Sequence, residues 1–129
     1  MMQSIHRMPQ PVIAAIEGPA SAAGCQLVTT CDLAVASETA QFATPSVHIG
    51  LFCSTPMVAL SRNVASKHAM QVLLAADLVS PQQAYRIGLI NRVVAPGTAR
   101  DEAFKLARTI TAKSALVLKI GKEAFYRQL

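Results

Sequence analysis

The stretch Ile16-Glu17-Gly18-Pro19-Ala20-Ser21-Ala22-Ala23-Gly24-Cys25-Gln26-Leu27 constrains this chain more than any other. An apolar run from Pro11 to Ile16 enters it and reads as a short buried strand bounded by proline and glycine. A Gly-Pro turn follows. The small residues after it read as the first turn of a helix that begins near Ser21 and runs to Thr29 or Thr30. The first N–H groups of a helix have no partner inside it, and they carry the positive end of the helix dipole. Where only alanine and glycine surround those groups, a ligand oxygen can approach them closely, which makes the junction a candidate anion or oxyanion site. The same small residues also permit tight packing of helix on strand, and spacing alone does not choose between the two.

Further along, Asp32 to Ala36 reads as a second buried strand, so a strand–helix–strand unit with parallel pairing and a right-handed crossover is expected. Gln41 to Ala43 is a short extended piece leading into a loop, Thr44 to Gly50, punctuated by Pro45 and Gly50. Thr55-Pro56 reads as a helix cap followed by proline, and Ser66 to Ala76 as another helix. Ser80-Pro81-Gln82-Gln83 is a capping box, with Gly88 closing the short helix behind it. A strand over Leu89 to Val94 and a Pro96-Gly97 turn come next. A helix then runs from Thr98 with Ala103, Leu106, Ala107 and Ile110 on one face, and Ser114 caps a last helix.

Composition narrows the class. Hydrophobic residues make up 52% of the 129, yet aromatics only 5% with no Trp, so the core must be aliphatic and alanine-rich. Mean hydropathy is +0.36, high for a free-standing domain, but no apolar run is long enough to span a membrane. The surplus points to burial against other subunits or to a missing part of the fold. Residues 1–61 carry Arg7 as their only base against Glu17, Asp32 and Glu38, whereas residues 62–129 hold the other eleven bases against four acids. A basic second half fits a surface that meets phosphates, of a nucleotide-bearing cofactor or of nucleic acid, and equally fits solvated helix faces. No aromatic stacking pattern accompanies the charge, so a nucleic-acid partner is not expected. Cys25, Cys31 and Cys53 lack Cys-x-x-Cys spacing and read as small hydrophobes in a reducing compartment. His6, His48 and His68 have no metal-ligand spacing, so no metal is expected. The Met1–Met8 segment lacks a signal-peptide core.

Taken in order, Pro11 to Gly18, Ala23 to Leu27, Cys31-Asp32, Ala40 to Pro45 and Gly50 resemble the crotonase superfamily, the enoyl-CoA hydratases and isomerases. Asp77 to Ala84 and Gly88 to Val94 match the next block of that family, and the pieces Ala-Ala-Gly-Cys-Gln and Gly-Leu-Phe-Cys-Ser-Thr-Pro point to its divergent hydratase-domain-containing members. The resemblance implies an α/β fold, a partial crotonase-like ββα spiral core with a helical second half. It would be a single partial domain over 1–129, with strands, loops and the oxyanion helix in 1–61 and mostly helices in 62–129. It also implies an intracellular protein, bacterial cytoplasmic or mitochondrial, acting in fatty-acid-type metabolism as a homo-oligomer, a trimer or hexamer. Its small-molecule partner would be an acyl-CoA, bound as substrate and not as a cofactor.

The resemblance assigns one oxyanion N–H to Ala23, where the family usually has glycine, with Ala22 and Gly24 beside it and His48 and Gly50 as further substrate-binding positions. The family's two catalytic glutamates fall on Gln26 and Ser46. Adding water across a conjugated double bond needs a carboxylate to deprotonate water and an acid to protonate carbon, each typically contributing about 10²–10⁴ in rate. Neither Gln26 nor Ser46 can do this, so hydratase activity is not expected. Ser46 and His48 would share a face if their segment were extended, giving a hydroxyl–imidazole pair. The family's earlier strands, with the second oxyanion N–H and the adenine-binding loop, precede the portion matched here, and its last helices continue beyond it. A non-catalytic oligomerising module is therefore the rival expectation.

Overall fold

The computed structural model describes residues 2–129. Two strands rich in alanine and β-branched residues, β1 (Ile13–Ile16) and β3 (Leu33–Ser37), pair in parallel with Ile13 opposite Leu33 and Ile16 opposite Ala36. The helix α2 (Ala23–Thr30) makes the crossover between them, which bears out the strand–helix–strand unit. On the other side of β3 lies β5 (Arg92–Val94), also parallel. A second, two-stranded parallel sheet joins β2 (Pro19–Ser21) to β4 (Gln41–Ala43). That pairing corrects the expected helix start: Pro19 to Ser21 stays extended to bond β4, so α2 begins at Ala23 and not near Ser21.

Other boundaries move for local reasons. The expected strand over Leu89 to Val94 shortens because the N–H groups of Leu89 and Ile90 both turn back to Ala84 O, closing the preceding helix. That helix is α5 (Pro81–Arg86), and its cap is as read: Ser80 Oγ accepts from Gln83 N–H at 3.1 Å. The segment taken as a loop is a 3₁₀ turn over Pro45–Ile49, ended by Gly50 at φ 79°. Next, α3 (Ser54–Asn63) starts two residues early, with Cys53 at the cap position, so Thr55 does not cap it and Pro56 sits in the first turn, where a missing N–H is harmless. The second half is helical as expected, with α4 (Ser66–Ala75), α6 (Ala99–Thr111) and α7 (Ala115–Gln128). The first half holds more helix than the sequence suggested, since α1 (Met2–Arg7) and most of α3 lie there.

The core is aliphatic. Ile16, Ala34 and Ala36 from the sheet meet Cys25 and Val28 of α2, Leu60 of α3, and Val72 and Leu73 of α4, with Phe42 as its buried aromatic. Cys25 and Cys53 are buried free thiols within it.

Two polar devices tie the chain's ends to this core. Asp32 Oδ2 accepts from Val12 N–H at 2.7 Å and pairs with Lys122 Nζ at 2.8 Å, while Tyr126 O–H donates to Oδ1. Lys122 also donates to Ile5 O and Gln10 O, each at 2.8 Å, and the Tyr126 ring stacks on His6 at 4.1 Å. One carboxylate thereby joins α1, the entry to β1, the start of β3 and α7. The pair is well buried, the side chains being 7% (Lys122) and 13% (Asp32) exposed, so loss of one partner strands the other's charge. The second device is Glu17, whose carboxylate accepts from Ala99 N–H at 2.8 Å and Gly97 N–H at 3.1 Å and so caps α6.

Lys122→Met is expected to destabilise the fold by about 3 kcal/mol in denaturant titration; a change near zero would show that Asp32 is held without it. The Ala99 and then the Gly97 N–H bonds hold the Glu17 carboxyl below its ordinary range. Its contribution is therefore full above the unfolded carboxyl pKa and fades as pH falls through the lower folded value. Melting curves of Glu17→Gln and the parent should differ at neutral pH and converge in acid, and a gap independent of pH would contradict this role.

Candidate functional site

Everything at the site turns on Ala22. Its N–H donates to Ala43 O at 2.9 Å, and its backbone sits at φ 49°, ψ −111°, a conformation that a residue with a Cβ adopts only at a strain of about 1–3 kcal/mol. The turn delivers the chain directly into α2. Gln26 N–H is satisfied by Ala22 O at 3.0 Å, but the N–H groups of Ala23 and Gly24 find no acceptor among the described residues. Ala23 is exposed. A Cβ placed on Gly24 would meet Ala20 Cβ at 3.9 Å, an ordinary contact, so close packing does not demand glycine there.

Ala43 also leads into the other half of the site. Thr44 is fully buried and anchored by its hydroxyl to Val72 O at 2.9 Å, which fixes the start of the 3₁₀ turn carrying Ser46. Ser46 is half-buried, and its Oγ accepts from the Cys53 thiol at 2.9 Å. It does not pair with His48. In a 3₁₀ turn, side chains two residues apart diverge by roughly 120°, and His48 Nε2 instead lies 3.4 Å from Ala76 O. Gly50 ends the turn in the left-handed region that glycine favours. The structure thus groups Ala22, Ala23, Gly24 and Gln26 on the first turn of α2 and brings the Ser46 turn in through Ala43, while His48 and Gly50 lie further along that turn.

A cavity of about 520 Å³ opens beside Gln26, between α1, α2, α3 and α7. On α2 its wall is Gln26, Thr29 and Thr30, the i, i+3, i+4 pattern of one helix face, which continues the face bearing Ala23. Of the residues singled out from the sequence as site positions, Gln26 alone reaches this wall. Arg62 and Asn63 of α3 and Tyr126 of α7 were missed. The spacing of Thr29 and Thr30 from Gln26 carried a signal, but nothing local pointed to residues on α3 or α7. The Gln26 amide and the Arg62 guanidinium have no side-chain partner among the described residues, whereas the Thr29 and Thr30 hydroxyls are satisfied by Cys25 O and Gln26 O, each at 2.7 Å.

Ionisation limits what else can react. Burial pushes the Cys25 thiol up to about 11, leaving it protonated and inert at neutral pH. Burial, and next the Asp32 charge, raise Cys31 as well. Burial and then the bond to Asp32 push the Tyr126 phenol up, so it remains a donor. The arrangement offers free N–H donors at a helix start and a cavity of mixed polar and apolar lining one turn away, with no carboxylate at either position assigned to acid–base work.

The profile of the enoyl-CoA hydratase/isomerase family matches residues 1–129. The enoyl-CoA hydratase domain-containing protein 3, mitochondrial, of Rattus norvegicus is 47% identical over 129 residues, which is 100% of this chain and 43% of that protein. The crystal structure of an enoyl-CoA hydratase from Mycobacterium smegmatis superposes with a TM-score of 0.95 at 51% identity, covering 98% of this chain and 49% of its own. That of human enoyl Coenzyme A hydratase domain-containing protein 3 gives a TM-score of 0.93 at 47% identity, covering 98% of this chain and 50% of its own. The chain therefore spans about half the length of the relatives it matches. Matched along its whole length in sequence and superposed this closely in backbone, the chain belongs to the enoyl-CoA hydratase/isomerase family, the crotonase superfamily.

Proposed function

We propose that this chain holds the thioester of an acyl-CoA against the start of α2, where the Ala23 N–H stabilises negative charge on the thioester oxygen, and that it does not hydrate enoyl-CoA. The observation that carries the reading is the Ala22 turn: a strained backbone, fixed by Ala43, that leaves the Ala23 and Gly24 N–H groups without acceptors at the positive end of a helix. Backbone strain that the surrounding structure holds in place clusters at working sites. A preorganised N–H donor of this kind contributes about 3 kcal/mol when charge develops on the oxygen it faces.

The absence of hydratase chemistry follows from Gln26 and Ser46. An amide cannot take a proton from water at working pH, and neither can a neutral hydroxyl such as that of Ser46, which accepts from the Cys53 thiol. Neither side chain replaces a carboxylate. A second reading, a non-catalytic oligomerising module, is favoured by the exposed apolar residues Leu116, Val117, Ile120 and Phe125 along α7.

Calorimetric titration with crotonyl-CoA, run beside a hydration assay on the same protein, tests the proposal. Saturable binding with turnover at least about 10²-fold below a competent hydratase is the expected result. Robust hydration would overturn the assignment of Gln26 and Ser46. A stable oligomer by light scattering that binds no CoA thioester would favour the module instead.

A further inference from the structure

Building on the acyl-CoA reading, we propose that the cavity beside Gln26 receives an acyl chain that ends in a carboxylate, so that the preferred ligand is a dicarboxylic acyl-CoA. Ala23, Gln26 and Thr30 lie along one face of α2, and at about 1.5 Å per residue the distance from Ala23 to Thr30 is about 10 Å. An acyl chain that follows this face from a thioester held at the Ala23 N–H passes Gln26 and enters the cavity.

The titratable side chains facing the cavity are His6, Asp32, Arg62 and Tyr126. Asp32 is the one acidic side chain among the described lining residues, and it is already engaged by Lys122 at 2.8 Å, by Tyr126 and by Val12 N–H. Arg62 is left as a cation with no carboxylate partner among the described residues. A glutamate at the Gln26 position would have balanced that charge; the amide does not. The loss that removes acid–base chemistry thus also leaves the cavity with uncompensated positive charge.

Asn63 Nδ2 is spent on Ala59 O at 2.8 Å and Thr29 O at 3.2 Å, and the Thr29 and Thr30 hydroxyls are spent on α2 carbonyls. The Gln3 and Gln26 amides, the Thr55 hydroxyl and the Arg62 guanidinium remain. An alkyl terminus packed against the Gln26 amide and the guanidinium would strip water from them and return nothing. A carboxylate would accept from the guanidinium in its bidentate geometry and from the amide as well.

Calorimetry with suberyl-CoA and octanoyl-CoA, equal in carbon number, tests this on the parent chain and on Arg62→Ala and Arg62→Lys. Suberyl-CoA is expected to bind about tenfold more tightly than octanoyl-CoA to the parent. That preference should vanish in Arg62→Ala, with suberyl-CoA weakened and octanoyl-CoA bound no more weakly than by the parent, and should return in part in Arg62→Lys. Equal affinities in the parent would overturn the inference while leaving acyl-CoA binding intact. Equal weakening of both thioesters and of free CoA in Arg62→Ala would also overturn it, by assigning Arg62 to the CoA phosphates. Binding of neither thioester would overturn both this inference and the reading beneath it.

Discussion

The hydrogen bond from Ala22 N–H to Ala43 O is the contact on which the site depends. It joins the turn that opens α2 to the end of β4, and it holds Ala22 in a conformation that alanine does not choose unaided. Because β4 runs straight into Thr44 and the Ser46 turn, the same bond sets the helix start and the second site segment relative to each other. The parallel pairing of β2 with β4 supports it from one side, and the buried Thr44 hydroxyl on Val72 O from the other. A small sheet of two short strands is thus the frame that presents the N–H donors.

Asp32 does the corresponding work for the cavity. Its carboxylate gathers Val12, Lys122 and Tyr126, and through them fixes α1 and α7 as two of the cavity's walls. A buried ion pair is not a free source of stability, since the desolvation of both charges offsets their attraction. Its effect here is specificity of placement: Lys122 also satisfies two backbone carbonyls, so α7 has one seat on α1 and the β1 entry. The same engagement occupies the one acidic side chain among the described lining residues and leaves Arg62 without an acidic side-chain partner.

Much of the frame could be read from the sequence. The apolar run into β1, the glycine and proline punctuation, the Ser80 and Ser114 caps and the parallel strand–helix–strand unit all rest on local signals, and these survive. Boundaries failed where a distant partner decided them. Pro19 to Ser21 became a strand because Gln41 to Ala43 came alongside, and Leu89-Ile90 left the expected strand to close α5. The supposed Ser46–His48 pair assumed an extended backbone, but proline at the first position and Gly50 at the end wind that segment into a turn. Glu17 stood out in the sequence only as an acid beside the Gly18-Pro19 turn, and its position there was legible. That it caps a helix about eighty residues away was not, because no periodicity encodes so distant a contact. The same holds for Arg62 and Lys122, whose roles arise only when helices from opposite ends of the chain meet.

Function at this site depends on whether the Ala23 N–H receives a thioester oxygen. Amide NMR of the chain titrated with crotonyl-CoA, and in parallel with the thioether analogue that lacks the carbonyl, measures this directly. A downfield shift of the Ala23 amide proton with the thioester and none with the thioether is the predicted result. Perturbation of other residues by crotonyl-CoA with Ala23 unmoved, or the same shift from both ligands, would contradict it.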